Sequence, residues 1–162
     1  MAALPEPEPG LVISFNYLWR RERDQGLEHG RYPRPCAIVV AVRPDPDGPR
    51  IVTVVPITTK PPLADQPAVE IPAAIKRHLG LDADIPSWAI VDELNEFAWP
   101  GFDLEPSASG EIAYGFIPPK LYERIRLGLV EALRARRLGR VQRWTAAEAG
   151  PRAVPMGATS LR

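Results

Sequence analysis

Arg34 and the Thr58-Thr59 pair are the side chains of this 162-residue chain whose types and spacing suggest chemistry. They flank two apolar runs, residues 36–42 and 51–55, which are separated by Pro44-Asp45-Pro46-Asp47-Gly48-Pro49. Prolines, aspartates and a glycine between β-branched runs signal a turn, so the two runs form a hairpin. Pairing Val42 with Ile51 sets Val39 against Val54, Cys36 against Ile57 and Arg34 against Thr59. Pro56 has no N–H for a ladder and implies an edge or a bulge. A one-residue bulge there sets Thr58 opposite Arg34 instead, and the choice decides which hydroxyl shares a face with the guanidinium.

Arginine is permanently charged, and its planar fork fits two phosphate oxygens. A threonine hydroxyl can donate a third hydrogen bond. Together they suit stabilisation of charge developing on a phosphoryl group. Neither accepts a proton near neutral pH, so a general base has to come from elsewhere. Threonine and a strand-end arginine are also routine strand residues, and spacing alone favours that plainer reading.

Other candidates weigh less. His29 and His78 are the two histidines; His29 precedes Arg34 in a loop and reads as solvated rather than as a proton carrier, and His78 reads as a helix-surface residue. The single cysteine, Cys36, excludes an internal disulfide and a cysteine metal cage; within a strand it reads as core. Asp92, Glu93 and Glu96 read as the exposed side of a hairpin, or a surface held against arginines, rather than as a metal site. Trp88 reads as core. Trp99, beside Pro100-Gly101, is the aromatic best placed to be exposed and to stack a base. No metal and no cofactor is expected.

The positioning elements are short. Twenty prolines argue against a helical bundle and for strands joined by rigid loops. Strands are expected over 11–17, 36–42, 51–55, 69–71, 88–91, 96–99 and 114–117, with a polar loop over 19–33. A short helix starts after Pro72 and stops at Gly80. After Pro118-Pro119, Leu121, Ile125, Leu129 and Leu133 recur at four-residue spacing and predict the one long helix, with Gly139 as its C-cap. Residues 139–162 read as a poorly ordered tail, with Trp144 able to anchor part of it. The expected fold class is α+β, mainly β: a small barrel or curled sheet with a C-terminal helix. Net charge is zero, yet residues 82–111 hold eight acids and no Lys or Arg, while 120–143 hold eight Lys or Arg against Glu123 and Glu131. Such a chain can show a basic surface to an anion while staying neutral, although solvated faces are the plainer reading. No run is long enough to span a bilayer, and residues 1–10 lack the features of a signal peptide, so a cytoplasmic protein is expected.

A family resemblance reweights the site. Gly10-Leu11-Val12-Ile13-Ser14-Phe15 resembles the opening strand of MazF/PemK-type toxins. Glu28-His29-Gly30 followed by Arg34-Pro35-Cys36-Ala37-Ile38-Val39 resembles their acidic-Gly loop, Arg-Pro step and apolar strand. Val54-Val55-Pro56-Ile57-Thr58-Thr59-Lys60 resembles their Pro-Ile-Thr segment, and Val69-Glu70-Ile71, Ala89-Ile90-Val91-Asp92-Glu93 and Gly115-Phe116-Ile117 follow in order. The similarity covers roughly residues 10–138, with 1–9 as an N-terminal extension and 139–162 as the tail. The chain departs from the pattern at Leu11, where the family carries an acid, in the Tyr32-Pro33 insertion, and in enlarged loops over 73–86 and 100–113. The resemblance implies an SH3-like barrel of the CcdB/PemK type with a terminal helix, usually a homodimer. It implies a metal-independent endoribonuclease that cuts single-stranded RNA by attack of the ribose 2′-hydroxyl, and that is held in check by an antitoxin protein. It places the catalytic pair on Arg34 and Thr58, with Arg31, Thr59 and Lys60 against the RNA backbone. The same fold also serves non-enzymatic gyrase poisons, and an inactive member is the third alternative.

Overall fold

The computed structural model describes residues 4–143. The chain is α+β and mainly β. In order it forms β1 (Leu11–Phe15), α1 (Arg20–Asp24), β2 (Arg34–Val42), β3 (Arg50–Thr58), β4 (Ala68–Glu70), α2 (Ala73–Leu79), β5 (Trp88–Ile90), β6 (Glu93–Trp99), β7 (Ala113–Phe116), α3 (Pro119–Arg134) and β8 (Gly139–Gln142). No helix of the described residues is long and apolar enough to cross a membrane.

The near-continuous apolar runs follow from burial on both faces of one sheet. Side chains alternate along a strand, so Leu11, Ile13, Phe15, Cys36, Ile38, Val52 and Val54 enter one core. Val12, Ala37, Val39, Val55 and Ile57 enter the other, beneath Leu121, Ile125 and Leu129 of α3. The strand order is β4-β5-β3-β2-β1-β7, with β6 branching from β3 and β8 pairing with β6. The barrel expected from the family pattern is therefore not closed: among the described residues β4, β7 and β8 stay edges. The cause is that β3 divides its partners. Its residues 50–54 pair with β6, and Ile57 and Thr58 pair with Ala89 and Trp88 of β5. Pro56, which has no N–H to give, falls in the gap between those two partners, so the strand runs through it.

The hairpin of β2 and β3 does contain a bulge, but at Val39 rather than at Pro56. Val42 pairs with Ile51 and Val40 with Thr53; beyond the irregularity Ile38 pairs with Val54 and Cys36 with Pro56. A bulge leaves a residue outside the ladder, and here the Tyr122 hydroxyl of α3 donates to the Val39 carbonyl at 2.8 Å. Helix α3 thus satisfies the group that the register shift sets free.

Two expectations at the C-terminal end change. Helix α3 ends at Arg134, and the chain turns through Arg136 in the left-handed region (φ 56°) rather than at Gly139. Residues 139–142 are not a loose tail: they form β8, parallel to β6, with Glu93 opposite Gly139 and Glu96 opposite Gln142. Gly139 packs close to Arg20: a Cβ there would lie 2.7 Å from the Arg20 side chain, which would have to swing aside. Trp144 and the residues after it lie outside the described residues.

Candidate active site

Continued two residues past Cys36 and Pro56, the shifted register sets Arg34, the first residue of β2, across from Thr58, the last residue of β3. Both line one pocket of about 180 Å³, together with Trp19, Arg21, Tyr32, Lys60, Leu63, Gln66 and others. An adjoining lobe of about 300 Å³ shares Trp19, Arg21, Tyr32, Arg34 and Lys60 and adds Glu22, Gln25 and Arg31. The two lobes form one groove at the open end of the hairpin.

Arg34 is held by rings rather than by acids. Its guanidinium carbon lies 5.1 Å from the Trp19 ring centre and 4.8 Å from that of Tyr32. The Arg21 guanidinium lies 4.7 Å from the same Trp19 ring. Cation–π contact orients a guanidinium without neutralising it. Among the described residues Arg34 has no ion pair, and its buried Nε has no hydrogen-bond partner. A buried charged donor left unpaired is costly, which makes this group a ready anion receptor. Arg21, Arg34 and Lys60 supply three cations to the first lobe, and no carboxylate or imidazole lines it.

Thr58 is buried, and its Oγ1 accepts the Lys60 N–H at 3.1 Å. That bond fixes the chain where it leaves β3 and leaves the Thr58 hydroxyl hydrogen free to donate. Lys60 lines both lobes. Arg31 lines only the second lobe, and its Nε lies 3.7 Å from Glu22 Oε2, so part of its charge is already matched. Thr59 is exposed and lines neither lobe. The shift at Val39 separates the two threonines in the direction of Thr58.

The remaining groups fall elsewhere. His29 meets Asp103 at 3.3 Å, is largely exposed and does not line the groove. His78 is exposed on α2. Cys36 is buried in the core, and burial pushes its thiol well above the ordinary range. The acidic cluster is not the exposed side of a hairpin. Glu93 is buried and accepts the Tyr17 hydroxyl at 3.1 Å and the Arg20 N–H at 3.0 Å. Glu96 is buried against Arg140 at 3.3 Å. Burial raises the pKa of both carboxyls. Arg143 meets Asp103 at 2.9 Å, so the basic C-terminal segment partly pairs with the acidic stretch, and the cationic groove is built from other residues.

Trp99 lines a separate apolar pocket with Leu4 and Phe102. The aromatics of the groove are Trp19 and Tyr32, which the sequence reading left out of the site, as it did Arg21 and Gln66. The available signal was the triplet Trp19-Arg20-Arg21, an aromatic followed at once by cations. Helix α1 sets that triplet in place: the Glu22 carboxylate reaches back to the Trp19 N–H at 3.1 Å, a local cap that fixes the first turn.

The chain matches no protein-family model and no curated protein. Its function is therefore read from the groove.

The loop leading into Arg34 depends on Gly30. A Cβ at this position would overlap the Tyr17 carbonyl oxygen and Asn16 Oδ1, a backbone group and a neighbouring side chain in the same wall. Gly30→Ala is expected to cost about 2 kcal/mol, within the range for forced overpacking. Thermal denaturation checks this; an unchanged midpoint would show that the loop moves aside freely.

Proposed function

We propose that this protein is a metal-independent endoribonuclease of the MazF/PemK toxin type, cutting single-stranded RNA. The observation that carries the reading is Arg34, free of any carboxylate among the described residues, set across the hairpin from Thr58 in a groove lined by cations and aromatics. Under it, the ribose 2′-hydroxyl attacks the adjacent phosphorus and the bond to the 5′ oxygen breaks. A 2′,3′-cyclic phosphate and a 5′-hydroxyl result. Water takes the 2′ proton as the new P–O bond forms, and water returns a proton to the departing 5′ oxygen. The Arg34 fork binds the non-bridging oxygens and the Thr58 hydroxyl donates to the same centre, where negative charge grows. Lys60 and Arg21 hold flanking phosphates. The open, branched sheet is then a relative of the SH3-like barrel, and a homodimer and an antitoxin that blocks the groove belong to the same proposal.

A second reading is favoured by one observation. The lobe holding Arg34 and Thr58 has no carboxylate or imidazole to act as base, and Glu22, in the adjoining lobe, is already engaged by the Trp19 N–H and by Arg31. Such a groove can bind an anionic partner without reacting with it. Incubation with single-stranded RNA in chelator separates the two. Cyclic-phosphate and 5′-hydroxyl ends support the nuclease. Intact RNA, with growth arrest on expression, supports a non-enzymatic binder.

A further inference from the structure

The two aromatic rings of the groove differ in what is left of them for a ligand. Trp19 is 6% exposed and carries both the Arg21 and the Arg34 guanidinium, so it has no face to offer. Tyr32 carries Arg34 on one face, yet it is 57% exposed and lines both lobes. No other ring or guanidinium among the described residues packs on it. A ring covered on one side and still mostly exposed has its second face open.

The neighbours of Tyr32 fix its place. It precedes Pro33, and the residue before a proline is confined to extended backbone. Arg34 then opens β2 and pairs with Phe15 of β1. The ring is thus two residues from an anchored strand end, with stiff chain between, and needs little ordering when a ligand arrives. The Tyr32-Pro33 step is an insertion relative to the family pattern, so that pattern supplies no role for the ring.

Single-stranded nucleic acid is held where cations follow the backbone and aromatic faces stack the bases. Arg21, Arg34 and Lys60 supply the cations. Tyr32 supplies the open face, and it touches the same cation that the proposed reaction puts on the scissile phosphate. We propose that Tyr32 is the stacking platform for a base adjoining the phosphate held by Arg34. It takes that base whatever its identity, because every base has a π-face. This inference rests on the groove being a single-stranded RNA site, and the experiment separates the two.

Wild type, Tyr32→Phe and Tyr32→Leu are titrated with 2′-deoxy tetranucleotides of uracil or adenine, and with a tetrahydrofuran chain that has the same phosphates and no bases. The missing 2′-hydroxyl removes the attacking group, so binding is read without cleavage. Thermal unfolding verifies that each variant is folded. The quantity of interest is the affinity for a chain with bases divided by that for the base-free chain. Tyr32→Leu is expected to lower this ratio about tenfold for both bases, within the range for one base stacked on an aromatic ring, and Tyr32→Phe to keep it. A Tyr32→Leu protein that weakens all three chains equally overturns the inference, because the ring then acts only by holding Arg34. A wild type that binds the base-free chain as tightly as the others, or binds none of them, overturns it too. Cleavage of single-stranded RNA by wild type decides the nuclease reading separately. The expected ratios without any cleavage support Tyr32 as the platform and overturn the nuclease.

Discussion

Arg34→Ala lowers RNA cleavage by about 100- to 1,000-fold, the effect of removing a group that binds developing charge, while the fold survives. The two halves of that expectation come from the same fact. Arg34 makes no ion pair among the described residues, so its loss breaks no electrostatic link in the fold. What it gives up is contact with Trp19 and Tyr32, worth about 1 kcal/mol. Arg34→Lys is also expected to stay at least tenfold below wild type on the same scale, because an ammonium is a point charge that cannot engage two phosphate oxygens as a fork. Thr58→Ser should retain most activity, and Thr58→Val should not, since only the former keeps the hydroxyl that also receives the Lys60 N–H. Rates on a single-stranded substrate, with thermal midpoints recorded alongside, check all four. Full-rate cleavage by Arg34→Ala would remove the site assignment.

How far this site was legible depends on what each residue's position is made of. The β2–β3 hairpin was readable because its runs are β-branched and its turn is full of proline, aspartate and glycine. Both strands were expected, and they end with Arg34 and Thr58. The choice between Thr58 and Thr59 turned on a single residue of register. Pro56 was the visible reason for a bulge, yet the shift lies at Val39. Nothing about a valine in a valine run marks it, because the stabilising partner is Tyr122, 83 residues away in sequence and on another element. Strand β8 was hidden for a similar reason. It is short and polar, and it is held by pairing with β6 and by the ion pair of its Arg140 with Glu96, so no periodicity announces it. The acidic cluster misled in the opposite direction: Glu93 and Glu96 look solvated by type and are buried by their partners Tyr17, Arg20 and Arg140. Local pattern fixes elements, whereas the long-range contacts that seat a buried charge leave little trace in their own segment.

The Glu96–Arg140 pair gives that last point a measurable consequence. The Glu96 side chain is 1% exposed, and Arg140 meets it at 3.3 Å. Its Oε2 makes no hydrogen bond among the described residues, so the match is Coulombic more than directional. Burial raises the Glu96 pKa, and Arg140 opposes the rise. A carboxyl with a raised folded-state pKa is protonated in both states below its unfolded value of about 4.3 and costs nothing there. Above that value the unfolded chain releases the proton first, so stability falls as pH climbs to the folded pKa, and the full cost remains beyond it. Arg140→Met removes the opposing charge, drives the Glu96 pKa higher and enlarges that cost. The expected loss is about 3 kcal/mol at pH 7.5, as for a buried charge deprived of its partner, shrinking towards zero near pH 4.5. Every other titrating group is shared by both proteins, so the quantity to follow is the difference between variant and wild type at each pH. Adding Glu96→Gln to Arg140→Met removes the unpaired charge and should recover most of the loss at pH 7.5. Denaturant unfolding across this range measures the whole pattern. A variant-to-wild-type difference that stays flat from pH 4.5 to 7.5 would mean that Glu96 does not carry the charge across which β8 is held to β6.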